Sequence, residues 1–176
     1  MFATIYLPNF YFQASLRHQP DLREKPVALL DDRQPKSVIM QLNEAAEQAG
    51  VHTGMTASQG LARSLNLVLK TRCASQEKQI EEIVLHFAFT LAPYVEATGP
   101  GLCTIQFTTR KNLSRNVRRV TEVLAELELS AQAGIAETPD TSLLAAYLAK
   151  PVLEIKDTKD FLASLPIETL AIPGRN

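Results

Sequence analysis

At 176 residues, with 45% hydrophobic and 21% charged side chains, the chain can bury a core in one compact domain or two small lobes, and neither a disordered chain nor a strongly basic surface is indicated. With 18 Lys and Arg against 19 Asp and Glu, total charge gives no footprint for nucleic acid, so any such binding has to come from local clusters. Cys73 and Cys103 lack paired spacing, the start has no basic leader region, and no apolar run nears the roughly 20 residues of a membrane span; a soluble cytoplasmic chain with free thiols and no zinc site is expected.

In chain order, Phe2 to Pro8 reads as a short buried strand that Pro8 ends. "FYFQASLRH" continues as a helix, and "PVALLDD" follows a Pro-rich, charged loop as a second strand. A turn over residues 31–36 leads into "SVIMQL", a strand feeding a short Ala-rich helix with Asn43 as its N-cap and Gly50 as its stop. "TASQGLARSLN" is a helix capped by Thr56 and weakened by Gly60, and "LVLKT" is a strand.

From Ser75 to Leu91, apolar residues recur at three- and four-residue steps through Ile80, Ile83, Val84 and Phe87, and Pro93 closes this helix. "YVEAT" and "LCTIQFTT" form a hairpin turned at Gly99-Pro100-Gly101. Leu113, Val117, Val120, Leu124 and Leu127 stripe a second long helix. "LSAQAGIA" is a strand, "TPDTSLLAAYLA" a helix, "PVLEI" a short strand and "TKDFLASLP" a final helix. With the first strand, the second half makes an α+β fold of ferredoxin-like βαββαβ type, an antiparallel sheet with two long helices on one face and a small α/β subdomain inserted after the opening strand.

Four runs fall in a telling order: "FYFQAS" with "PDLREKPVALL", then "GVHTGMTASQGLA", "AGIAETPDTSLLAAYLAKP" and "FLASLPIETLAIPG". In sequence and spacing they resemble the landmarks of Y-family (DinB/UmuC-like) translesion DNA polymerases, over nearly the whole chain. The resemblance implies a palm at residues 1–10 and 73–157, fingers at 11–72, and the start of a truncated thumb at 158–176. The rest of the thumb and the little finger are expected outside this chain.

In that family two Mg²⁺ ions are clamped by acids, because the hard cation takes oxygen ligands and two metals neutralise the attacking and leaving oxygens. Carried onto this sequence, the first-strand acids fall at Tyr6 and Pro8 and the hairpin pair among Gly99 to Leu102, with Gly101 and Leu102 as the matched positions; no register there supplies an acid, and Glu96 is the nearest one. The Tyr and Arg that hold the triphosphate fall at Glu44 and Glu47, where carboxylates would repel it. Tyr11 matches the steric-gate aromatic and Lys150 the palm lysine, as nucleotide-binding remnants.

This combination resembles the catalytically inactive ImuB-like branch. It implies a non-enzymatic accessory or scaffold subunit in translesion synthesis and induced mutagenesis, with no metal and no cofactor, Mg²⁺ being expected only for a catalytic member. Implied partners are a replicative-type polymerase and the sliding clamp, the clamp through regions outside this chain, and DNA. Two other readings stand beside it, an active polymerase with unrecognised metal ligands and a plain DNA-binding module. Arg110, Lys111, Arg115, Arg118 and Arg119 are the candidate DNA contacts, although a solvated helix face is the preferred reading because acids follow them. His18, His52 and His86 lack metal-ligand spacing, and there is no G-x-S-x-G elbow or P-loop.

Overall fold

A computed structural model describes residues 1–22, 24–31 and 37–166. Within them the chain runs β1 (Phe2–Tyr6), α1 (Phe10–Leu16), a 3-10 turn (Pro20–Leu22), β2 (Val27–Asp31), β3 (Val38–Leu42), α2 (Glu44–Gln48), α3 (Ala57–Arg63) and β4 (Val68–Thr71). It continues through α4 (Ala74–Leu91), β5 (Tyr94–Gly99), β6 (Leu102–Gln106), α5 (Leu113–Glu126), β7 (Gln132–Ala136), α6 (Pro139–Leu148), β8 (Val152–Glu154) and α7 (Thr158–Ser164). The chain divides into two compact units, Met1–Pro8 with Ile83 onward, and Asn9–Glu82. Of the turn expected at 31–36, Asp31 instead ends β2, paired with Val38, and 32–36 lie outside the described residues, as does the last part of the expected thumb start, 167–176.

The first unit is built on a 5-stranded sheet ordered β5-β6-β1-β7-β8. Its pairs are antiparallel except β7 with β8, so the expected antiparallel sheet is mixed at that edge: α6 is the helical crossover that a parallel pair requires. Ala3 and Ile5 of β1, with Cys103, Ile105, Ala133 and Ile135 on its neighbours, are almost solvent-free on one face. The buried stripe of α5, Leu113, Val117, Val120 and Leu124, packs against β7 and β8 and closes that face. The other face carries Thr4 and Tyr6 and receives α6. Gly134 permits this approach, since a Cβ there would stand 2.1 Å from the Ser142 carbonyl oxygen and 2.3 Å from the Ala146 nitrogen.

The β5–β6 turn uses the expected residues. Pro100 fixes its own φ, and Gly101 takes φ 68°, the left-handed region where a side chain would be strained.

The second unit holds a 3-stranded sheet ordered β3-β2-β4, antiparallel in its first pair and parallel in its second. Asn43 ties it together: its Oδ1 accepts from the Ala46 N–H at 3.0 Å, capping α2, and from the Val27 N–H at 3.0 Å, while its Nδ2 donates to the Lys25 carbonyl at 2.6 Å. Thr56 and Gln59 form a reciprocal capping box on α3. Gly60, which weakens α3 by propensity, is there for packing, because a Cβ would meet Ile39 and Leu67 at 2.9 Å. Thr56→Ala is expected to cost about 1 kcal/mol in chemical denaturation, the usual worth of an N-cap.

The two thiols differ in chemistry. Cys103 lies on the closed face of β6, and burial pushes its pKa up to about 12. Cys73 is partly exposed, and hydrogen bonding from Ser75 holds its thiol below the ordinary value. Alkylation with iodoacetamide at pH 8 is therefore expected to label Cys73 and leave Cys103 intact until the chain unfolds. Because the folded pKa of Cys103 is raised, its contribution to stability is full below the unfolded thiol value near pH 8.5 and is lost as pH climbs toward 12.

Candidate functional site

The end of β1 meets the β5–β6 turn at one junction. Tyr6 pairs in register with Leu102, and the Leu7 N–H donates to the Gly101 carbonyl at 2.9 Å, so three of the positions singled out by sequence, Tyr6, Gly101 and Leu102, converge and Pro8 follows directly. Over Tyr6 stands Tyr147 of α6, ring centroids 4.6 Å apart in an edge-to-face arrangement. Burial raises the pKa of both phenols, and the neighbouring Tyr6 raises that of Tyr147 further. The junction is thus a neutral aromatic plug beside an aliphatic side chain. Sequence reasoning missed Tyr147, because nothing local pairs a helix residue with a strand end 141 positions earlier.

These residues do not fit a divalent metal. Mg²⁺ needs carboxylate or carbonyl oxygens held close around it, whereas Tyr6 is kept protonated and Pro8, Gly101 and Leu102 bring no side-chain donor. Among the described residues no group of three or more His, Cys, Asp and Glu is placed to hold a metal ion. Gly101 is fixed by its positive φ, so an acid at that position would strain the turn.

Of the positions expected to contact nucleotide, Lys150 belongs to the first unit and Tyr11, Glu44 and Glu47 to the second. Lys150 is exposed after α6 in the first. In the second, Tyr11 lies on α1 with the Arg72 guanidinium 3.6 Å over its ring. Arg72 also grips Glu77 in a two-pronged pair, Nε to Oε1 at 2.7 Å and Nη2 to Oε2 at 2.5 Å, with both side chains only 10–13% exposed. One ring face of Tyr11 is therefore covered by a cation. Arg72, at the end of β4, was not legible as part of the site, because only the β2–β4 register and the start of α4 bring it to Tyr11 and Glu77. Removing the partner with Glu77→Ala leaves a buried guanidinium, and a loss of about 1.5–3 kcal/mol is expected in urea unfolding.

Glu44 and Glu47 sit exposed in the first turn of α2, where acids complement the unpaired N–H groups of a helix start. Glu44 also accepts from the Gln48 amide at 3.0 Å. Their placement thus has a local structural cause. Of the basic cluster, Arg110 pairs with Glu137 at 2.9 Å, and Arg115, Arg118 and Arg119 occupy the exposed side of α5. That helix covers the sheet face opposite the Tyr6 junction.

A family model described as "IMS: impB/mucB/samB family" matches residues 5–147. The chain belongs to the impB/mucB/samB family. Its Y-family character is carried by the same comparisons: proteins called DNA polymerase IV from Glaesserella parasuis serovar 5 and Pectobacterium atrosepticum are 26% and 29% identical over 94% of this chain. The chain spans about half the length of these relatives, 49% in each case. Among solved structures, the insertion ternary complex of Dbh DNA polymerase superposes with a TM-score of 0.81 at 18% identity, over 99% of this chain and 54% of that one. DinB from Sulfolobus solfataricus gives 0.80 at 17%, over 98% and 53%. These likenesses establish the α+β palm-and-fingers fold of this family member.

One expectation is overturned. The sequence reading made the chain no enzyme, but the family's curated relatives bear the name of a DNA polymerase. Four unsuited positions describe one junction in about half the length of such a protein, and a catalytic ligand set is a property of the whole assembled site.

Proposed function

We propose that this chain forms the palm and fingers of a protein that works on primer–template DNA in translesion synthesis and DNA-damage tolerance. The palm comprises 1–10 and 73–157, the fingers 11–72, and a thumb starts at 158. The family match across residues 5–147 carries this reading. Within it, the finer role is that of an accessory or scaffold subunit of a translesion complex, as in the ImuB-like branch, with a replicative-type polymerase and the sliding clamp as partners. The Tyr6–Tyr147 plug beside Leu102 supports that role, because the junction is built for packing. Template-directed nucleotide addition by the intact protein is the second reading, favoured by the relatives' name.

One assay separates them. The full-length protein is incubated with Mg²⁺ and a primer–template carrying an abasic site, alone and together with a separate error-prone polymerase. Stimulated bypass in the mixture is the result expected of an accessory subunit, and bypass unchanged by its addition overturns that role. Extension by the protein alone that is lost on altering the Tyr6 junction establishes the second reading.

The basic face of α5 gives a further expectation. Because α5 covers the sheet face away from the Tyr6 junction, replacing Arg115, Arg118 and Arg119 by Ala should change duplex affinity by less than about twofold. The slope of log Kd against log salt should stay the same, whereas each lost phosphate contact would lower it by about 0.9. Fluorescence anisotropy over a salt series reads both.

A further inference from the structure

The charges on α5 stand in an order that the helix itself does not favour. Arg115, Arg118, Arg119, Glu122 and Glu126 are all exposed, and at 3.6 residues per turn they fall within an arc of about 100° opposite the buried stripe. The arginines occupy the N-terminal half of this arc and the glutamates the C-terminal half, their centres about 10 Å apart along the axis. A helix start is the positive end of its dipole, and the last turn is the negative end. Accordingly α2, α4, α6 and α7 each have an acid in the first turn, whereas α5 has none there and no base in its last turn.

The spacing within the arc is no better. Arg115 and Arg119 repel at four residues apart, as do Glu122 and Glu126, and Arg118 with Glu122 stands in the weaker order for a pair. Among the described residues none of these side chains makes an ion pair. Asn112 adds no side-chain cap. The apolar stripe holds α5 to the sheet, and its outward charges work against the helix.

Such a pattern is accounted for by what it meets. A phosphate backbone along the arc would run onto Glu122 and Glu126, so the arc as a whole does not follow DNA. Turned end for end, the arc is its own complement: the arginines of one copy face the glutamates of another at both ends. A two-fold axis between Arg119 and Glu122 produces this arrangement, and it sets the two helix dipoles antiparallel.

We propose that the outer face of α5 is a self-association surface, on which a second copy of this protein lays its α5 antiparallel to the first. Exposed ion pairs are individually weak and screened by salt, so the association is weak and falls with ionic strength. The assignment does not depend on whether the protein adds nucleotides.

Sedimentation velocity of the full-length protein over about 10–300 μM tests it. A dimer is expected at low salt, with affinity falling about tenfold or more as salt is raised to about 0.5 M. Arg115→Glu, Arg118→Glu and Arg119→Glu together make the arc acidic throughout and should weaken association about tenfold or more. Adding Glu122→Arg and Glu126→Arg to these three reverses the polarity. The reversed variant should dimerise with itself again but not with labelled wild-type protein, because an antiparallel mixed pair sets like charge on like. Its melting temperature in dilute solution should not fall, since the reversed order suits the dipole. Wild-type protein that stays monomeric at low salt overturns the proposal. So does a triple variant that associates like the wild type, or a reversed variant that binds wild-type protein as tightly as itself.

Discussion

Gly134→Ala is expected to destabilise the first unit by about 3 kcal/mol or more, a fall of roughly 10 °C in Tm for a chain of this size. The added Cβ would stand 2.1 Å from the Ser142 carbonyl oxygen, 2.3 Å from the Ala146 nitrogen and 2.7 Å from the Ala145 carbonyl carbon. All three are backbone atoms of α6, so no side-chain rotation relieves the clash; the helix has to lift from β1 and β7. Lifting it would part Thr4 from Ser142 and Tyr6 from Tyr147, both contacts that α6 makes across the strand end. Gly54 is the comparison. It has φ 84° and nothing within 4 Å of an added Cβ, so Gly54→Ala carries only a backbone penalty of about 1 kcal/mol. Thermal melts of the two variants followed by circular dichroism check the difference, and equal shifts would mean that α6 does not press on β7 as described.

The contrast also shows what the sequence could and could not display. The stripe of α5 was legible because its apolar residues repeat with the helix, and Leu113, Val117, Val120 and Leu124 are indeed buried. So was the turn at Pro100 and Gly101, and so were the caps Asn43 and Thr56, since each acts on neighbours within a few residues. The seat of α6 was not legible. "PDTSLLAAYL" has small and apolar residues almost all round, so no stripe indicates which side meets the sheet, and the decisive partner, a glycine, announces itself only by lacking a side chain. Arg72 was hidden for the opposite reason: an arginine at a strand end reads as surface until Tyr11 and Glu77 are placed beside it.

The family landmarks were individually short, but they fixed which strand end meets which turn. Tyr6 opposite Leu102, with Leu7 bonded to Gly101, is that junction in coordinates. Position-by-position matching puts non-acidic residues at Tyr6, Pro8, Gly101 and Leu102, and it went too far in concluding that the chain is no enzyme. A missing ligand pair is a statement about side chains at a point, whereas activity belongs to a complete protein of which relatives are about twice this length.

The junction's character can be tested without any catalytic assay. Tyr6→Asp places a carboxylate where the family's pattern would have one, opposite Leu102 and against the Tyr147 ring. It removes an edge-to-face aromatic pair, worth about 0.5–1.5 kcal/mol beyond its buried area, and asks a charge to occupy surroundings that already keep a phenol neutral. A loss of roughly 2–4 kcal/mol at neutral pH is expected, against less than about 1 kcal/mol for Tyr6→Phe, which keeps the ring. The introduced carboxyl should have a folded pKa above its unfolded value, because burial opposes its ionised form. Its raised pKa makes the variant's deficit smallest below pH 4, where the acid is protonated in both states, and larger as pH rises through the folded pKa. Added Mg²⁺ should restore little stability, since one carboxylate beside Pro8, Gly101 and Leu102 offers no second ligand. Urea unfolding of both variants from pH 4 to pH 8, with and without millimolar Mg²⁺, measures each quantity. Full recovery of Tyr6→Asp by the metal would mean that further oxygens stand at the junction and that its donor set is richer than Tyr6, Pro8, Gly101 and Leu102.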